Sequence, residues 1–217
     1  MISLFNFILN KPLLRSSNMN RFILAPLLII TLFLFSYKAD EKTISRLKEK
    51  AQQAEIFCKS KNYNTQFCIL IDMSLHSGKN RAFLWDMKND SIIASGLCAH
   101  GCGSMPWGET NTKTKPVFSN TPDSHCTALG KYKVGKRGYS QWGINVNYLL
   151  HGLESTNNNA IKRQIVLHSW SDVADKEVYP NGTPEGWGCP AIGNKLMKTL
   201  DAKLKGTEKP VLLWIFN

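Results

Sequence analysis

Residues 163–192, RQIVLHSWSDVADKEVYPNGTPEGWGCPAI, hold the stretch on which the reading of this chain turns. Ile165-Val166-Leu167 is an apolar, β-branched run that reads as a buried strand, and it delivers His168 at its end. Turn residues crowd Tyr179-Pro180-Asn181-Gly182-Thr183-Pro184, and the chain then returns to Gly186-Trp187-Gly188-Cys189-Pro190. A histidine at a strand end, 21 residues before a cysteine held between glycine and proline, is a candidate pairing of base and nucleophile.

That chemistry wants these residue types for definite reasons. The thiolate is the reactive form of cysteine, and a neighbouring imidazolium favours it. Gly188 lets a substrate carbonyl approach the backbone closely, and the amides of Gly188 or Cys189 can then donate to a developing oxyanion. Pro190 has a fixed φ and would stiffen the turn that carries the thiol. A small buried thiol and a hydrogen-bonded core histidine would fit the same spacing, so spacing alone leaves both readings open.

Upstream, the texture is of short β-like runs. Phe67–Met73 is one; Arg81–Asp86 alternates as a half-exposed strand should; Lys88-Asn89-Asp90 is a turn, and Ser91–Leu97 reads as its hairpin partner. Further strands are expected at Lys131–Val134, Ile144–Leu149, Ile165–His168 and Val211–Phe216. Helical spacing marks two segments. In 41–60, Ile44, Leu47, Ala51, Ala54 and Phe57/Cys58 form one stripe; in Asn194–Lys205, Leu196, Met197, Leu200 and Leu204 share a face ahead of Gly206. Many strands and few helices mean a β-rich α+β domain.

The motifs HSW (168–170) and GWGCPA (186–191) resemble the signature of the murein L,D-transpeptidase catalytic domain, in a variant branch ending Trp-Gly-Cys-Pro-Ala. The likeness continues through AHGCGS (99–104), VFSNTPDSH (117–125), ALGKYKVGKRGYS (128–140), GLE (152–154) and NNNAIKRQIVLH (157–168), and covers roughly residues 65 to 216. The resemblance implies a mixed β-sandwich with an N-terminal helix and one late helix packed on the sheet. It implies Cys189 as nucleophile, His168 as base and Gly188 at the oxyanion, with His100, Gly101, Ser169, Trp170 and Trp187 contacting substrate. It also implies peptidoglycan stem peptides as partners, acyl transfer through a thioester, and no cofactor or metal. The better-known branch reads Ser-His-Gly-Cys; here Gly186 and Trp187 stand where its serine and second histidine do, so their supporting role is unfilled or taken by other groups. Trimming of stems by an L,D-carboxypeptidase, and an inactive wall-binding module of the same fold, stay open as alternatives.

Composition agrees with a globular chain: 217 residues, 43% hydrophobic and 20% charged. The net charge is +11, and residues 1–40 contribute only Lys11, Arg15, Arg21 and Lys38 against Asp40, so most of the excess lies on the body. A basic body favours polyanionic surroundings, but dispersed lysines argue against nucleic acid as the partner. Residues 22–35 form an apolar run behind Arg15 and Arg21, suited to a secretory signal and short of the ~20 residues a spanning helix needs. No clean cleavage site follows, so residues 1–40 read as a signal peptide or an uncleaved signal anchor. Residues 41–64 then form the N-terminal helical segment and 65–217 the catalytic domain. Export to a bacterial periplasm or cell envelope is the expectation.

Six cysteines then need placing. Cys58 with Cys68 and Cys102 with Cys126 are the disulfide pairings to test first, though connectivity does not follow from sequence. Cys98, Cys102 and Cys126 also hold the ingredients of a zinc site, without two tight Cys-x-x-Cys knuckles. Arg163 and Glu154 are read as an ion pair or as contacts for a substrate carboxylate, and Trp107, Trp142, Trp170 and Trp187 as candidates to line a cleft.

Overall fold

The computed structural model describes residues 40–109 and 116–217. The apolar run 22–35 and the charges before it lie outside the described residues. Helix α1 (Glu41–Ser60) opens the described chain, with Glu41 in its first turn and Lys59 in its last, each matched to the helix dipole. Thr43, Leu47, Ala51, Ala54 and Cys58 recur at helical spacing and are buried. Burying a side chain such as Leu47 is worth about 2 kcal/mol.

Eight strands follow, with helix α2 (Asn194–Lys205) before the last. They are β1 (Phe67–Asp72), β2 (Ala82–Asp86), β3 (Ser91–Gly96), β4 (Gly130–Tyr139), β5 (Val146–Gly152), β6 (Val166–Ser169), β7 (Ala191–Ile192) and β8 (Val211–Phe216). They hydrogen-bond into one continuous sheet in the order β3-β2-β1-β8-β4-β5-β6-β7. The sheet is mixed: β1 runs parallel to β8 and β6 parallel to β7, while the other neighbours are antiparallel. The class is the expected β-rich α+β fold, with the two helices of the described residues packed on the sheet.

Period-two side-chain alternation in the central strands builds a core on each face. Ile69, Ile71, Leu213 and Ile215 join Leu150, Leu167 and the α2 residues Leu196, Met197, Leu200 and Leu204 in one cluster. Cys68, Leu70, Phe83, Trp85, Leu212, Trp214 and Phe216 meet α1 in the other. This two-sided cover corrects the expectation for Arg81–Asp86: β2 is buried on both faces along Ala82–Trp85, not half-exposed.

Two other boundaries moved. β4 runs on to Tyr139 through an irregularity between Val134 and Arg137. It can do so because Gly135 has no Cβ to strike the His151 ring, which would lie 2.5 Å away. β7 has only two residues and exists through its pairing with β6. Helix α2 is tied to the sheet by Asp201, which accepts from Tyr148 Oη at 2.7 Å and Arg137 Nε at 2.7 Å, with Lys205 Nζ at 3.1 Å. Those three donors hold the Asp201 carboxyl well below the usual carboxylate range. At the other end of α2, Asp175 reaches in from the loop after β6 and accepts from the Lys195 N–H at 2.7 Å, doing a capping residue's work.

Candidate active site

The site stands at the sheet end where β6 and β7 lie side by side, with His168 opposite Ala191 and Ser169 opposite Ile192. The His168 N–H is 3.5 Å from the Pro190 carbonyl, one residue after the cysteine. Two residues earlier, the Val166 N–H donates to Cys189 Sγ at 3.4 Å, so the sulfur takes the place of a ladder acceptor. The sulfur also lies 4.0 Å from the Gln164 carbonyl. Cys189 is half-buried against the main core, and its thiol is free. Two surface hollows, one beneath α1 (Ala51, Glu55, Trp85) and one beside Val134 and Tyr148, touch neither Cys189 nor His168.

His168 Nδ1 is 3.0 Å from the Ser169 carbonyl. A carbonyl can only accept, so Nδ1 carries the hydrogen and Nε2 keeps its lone pair. Burial lowers the His168 pKa, partly offset by that carbonyl. Burial raises the Cys189 pKa, opposed by the Val166 N–H and by the charge of Arg163. Both directions favour neutral thiol and neutral imidazole at rest, rather than a preformed ion pair. The two side chains are not hydrogen-bonded to each other; the backbone of β6 and β7 relates them.

Gly188 is required where it stands. Its φ is +97°, and a Cβ there would lie 2.4 Å from the Cys126 carbonyl oxygen and 3.1 Å from Arg163 Nη2. Arg163 itself donates to the Ser119 carbonyl at 2.9 Å and to the Cys126 carbonyl at 2.5 Å. It is therefore not Glu154's partner: Glu154 pairs with Lys131 at 2.8 Å.

The residues expected to contact substrate divide. Trp187 is exposed and stacks on His125, with centroids 5.2 Å apart and planes 19° apart. Trp170 is buried beneath the indoles of Trp107 (5.0 Å, 20°) and Trp142 (5.9 Å), which hold the exposed positions of that cluster. Ser169 is fully buried, its Oγ accepting from the Ile144 N–H at 2.9 Å, so in this structure its hydroxyl braces the turn before β5. Gly101 is buried and passes so close to His125 that a Cβ would lie 2.0 Å from its carbonyl oxygen.

His100 is likewise turned inward, 2% exposed, where a cleft-facing loop histidine was expected. Its Nδ1 accepts from Arg81 Nη2 at 2.9 Å, which leaves Nε2 to carry the hydrogen toward Glu185 Oε1 at 3.5 Å. Burial and the Arg81 charge push the His100 pKa down to about 3, so it is a neutral bridge between a buried cation and a buried carboxylate. Backbone bonds complete this seam: Gly186 N–H to the His100 carbonyl at 2.8 Å and Cys102 N–H to the Gly186 carbonyl at 2.7 Å. The loop that leads into Cys189 is thus fixed to segment 98–109. Arg81 and Glu185 carried no motif in the sequence, and the reading of Arg81–Asp86 as a half-exposed strand named no partner for the charge at its start.

All six cysteines are free thiols in this structure. Cys58 and Cys68 share the core under α1, and Cys126 Sγ lies 3.4 Å from where a Cβ of Gly103, next to Cys102, would stand. Among the described residues no three His, Cys, Asp or Glu side chains converge as a metal-ligand set.

Residues 38–214 match the family described as the L,D-transpeptidase catalytic domain. Among solved structures, an L,D-transpeptidase (residues 123–326) from Xylanimonas cellulosilytica matches at 12% identity over 70% of this chain and 61% of that one, with a TM-score of 0.40. The helical cell shape determining protein Pgp2 from Campylobacter jejuni matches at 11% identity over 70% of this chain and 48% of its own, with a TM-score of 0.41. This chain thus spans less than two thirds of either solved chain. Comparison with functionally curated proteins gave no match.

Proposed function

Since this chain belongs to the L,D-transpeptidase catalytic-domain family, we propose that it is a cysteine acyltransferase acting on peptidoglycan stem peptides. The observation that carries the reading is the Cys189 thiol: free, half-buried, and set on the strand edge directly beside the strand that bears His168. Cys189 Sγ attacks the carbonyl of the third residue of a tetrapeptide stem as its proton passes to Nε2 of His168. A sulfur–carbon bond forms, the amide carbon–nitrogen bond breaks, and terminal D-alanine leaves with the proton returned by His168. An amine of a neighbouring stem then attacks the thioester, loses its proton to His168 and restores the thiol; water in its place gives a trimmed stem.

The resting protonation states set the division of labour. With the imidazole neutral and its Nδ1 hydrogen given to Ser169, His168 is poised as a general base rather than as a standing counter-ion. The turn at Gly188 supports an oxyanion site formed from main-chain N–H groups at 188 and 189. Trp187, exposed two residues before Cys189, supports contact with the bound stem. The reading goes with an exported, cell-envelope location through residues 1–40.

Incubating the protein with purified disaccharide tetrapeptides and weighing the products tests it. Cross-linked dimers mean transpeptidase, tripeptides mean carboxypeptidase, and unchanged substrate sinks both. One observation favours a second reading, a non-catalytic wall-binding module of the same fold: thiol and imidazole are not hydrogen-bonded, and burial holds both neutral. A Cys189 inert to thiol reagents up to strongly alkaline pH, with the protein still binding peptidoglycan, would decide for that module.

A further inference from the structure

We propose that Arg163 is the cation that stabilises the sulfur anion of Cys189 as it forms, a supporting residue supplied by the turn before β6. The inference rests on Cys189 being the reactive thiol and adds the group that makes it so.

The geometry is specific. Arg163 sits in the turn that ends at Gln164, whose φ of +53° swings the chain sharply into Ile165 and β6. Its guanidinium is pinned on one side by the carbonyls of Ser119 and Cys126. Those two bonds use two of the five N–H donors a guanidinium carries. The same Nη2 that donates to the Cys126 carbonyl comes within 3.1 Å of the place a Cβ would take on Gly188, the residue before the thiol. A side chain at 188 would push against both the Cys126 carbonyl and the guanidinium bound to it, so glycine lets Arg163 lie against the turn that carries Cys189. Glu154, the acidic residue that could have neutralised Arg163, is engaged by Lys131 through both its backbone N–H and its ammonium. Arg163 therefore keeps its charge uncompensated by any ion pair among the described residues, beside the residue that precedes Cys189.

The charge is also the needed complement to the rest of the site. Burial opposes ionisation of Cys189, and its other stabilising partner is a single main-chain N–H, from Val166. The field of Arg163 acts against that burial.

The test reads the thiol itself. The rate of iodoacetamide alkylation is followed from pH 6 to 11, scored by mass on the peptide containing Cys189, in the wild type, Arg163→Gln and Arg163→Lys. The expected result is an upward displacement of the midpoint in Arg163→Gln, with alkylation at pH 7 slowed roughly tenfold, as removal of one nearby opposite charge implies. Arg163→Lys keeps the charge and is expected to stay near the wild-type profile. Coincident profiles for all three proteins, or equal displacement in the Lys and Gln variants, would overturn the proposal; the latter makes Arg163 a brace only. Should the Gln variant not fold, Arg163→Met, which keeps an unbranched stem without the charge, carries the same test, and a wild-type midpoint in it would overturn the proposal. Because the readout needs no muropeptide, absence of acyl transfer alongside a displaced profile would sink the proposed function and leave this inference standing.

Discussion

Replacing Gly188 by alanine should cost far more than the same change two residues earlier at Gly186, although both glycines belong to one motif. Alanine at 188 must hold φ near +97°, outside the regions open to L-residues, at about 1–3 kcal/mol. Its Cβ would also stand 2.4 Å from the oxygen and 2.9 Å from the carbon of the Cys126 carbonyl, backbone atoms that cannot rotate away. Forcing them apart adds about 1–3 kcal/mol. For a domain of this size each kcal/mol lowers the melting temperature by about 2–4 °C, so a fall of roughly 5–20 °C is expected. A Cβ on Gly186 meets nothing within 4 Å, and its φ is not left-handed, so Gly186→Ala should stay within about 1 kcal/mol of the wild type. The assay is paired thermal and urea unfolding followed by tryptophan fluorescence, with Cys189 alkylation measured on the same samples. The clash lies between Cys189's neighbour and the carbonyl that Arg163 grips, so Gly188→Ala should also disturb the thiol's reactivity. Equal losses in the two variants, or a Gly188→Ala protein that melts with the wild type, would refute the placement of this turn.

Other expectations follow from the same contacts. Asp201→Asn removes the charge that Tyr148 and Arg137 grip, and should destabilise by about 1–3 kcal/mol in urea unfolding, the worth of hydrogen bonds to a charged group. Because the Asp201 carboxyl is depressed in the folded state, its contribution is present above the ordinary carboxylate range and lost as pH falls through the depressed value; an Asp201→Asn protein should show a flatter stability–pH curve there. Arg81→Met leaves Glu185 buried without its cation and should cost about 3–5 kcal/mol, whereas Lys59→Ala, on an exposed ion pair with Glu55, should cost at most about 0.5 kcal/mol. His168 is held neutral by burial, so NMR titration should find its folded pKa below the free value near 6.5. Stability linked to it should be complete above that value and lost as pH falls toward the lowered one. An imidazole that titrates above 6.5 would contradict the neutral resting pair.

Strongly periodic segments were legible in the sequence. The stripe from Leu47 to Cys58 and the face from Leu196 to Leu204 became α1 and α2 with the expected residues buried, because an apolar stripe at helical spacing has only one face to give a core. The runs at 67–72 and 211–216 became β1 and β8 for the same kind of reason. What stayed hidden depends on contacts distant in the chain. Ala191–Ile192 is a strand only because β6 lies beside it, and the expected strand at Lys131–Val134 stopped short of the second half of β4, where Gly135 and Gly138 make room for side chains of β5. His100 reads as a loop histidine until Arg81 and Glu185 close on it from 19 and 85 residues away. The role of Arg163 was obscured by a plausible wrong partner, Glu154, which local charge pairing suggested and Lys131 already held. The strand–loop–Gly-Cys-Pro order brought Cys189 and His168 forward as candidates while leaving a buried thiol and a core histidine equally open, and the fold sets the two residues on neighbouring stretches of chain.

Intact-mass spectrometry of the protein mixed with a disaccharide tetrapeptide tests the central claim most directly. The wild type should gain the mass of the stem less its terminal D-alanine, released by hydroxylamine as a thioester and mapped to Cys189, and Cys189→Ala should gain nothing. An adduct or turnover that survives in Cys189→Ala, or one that maps to another residue, would contradict it.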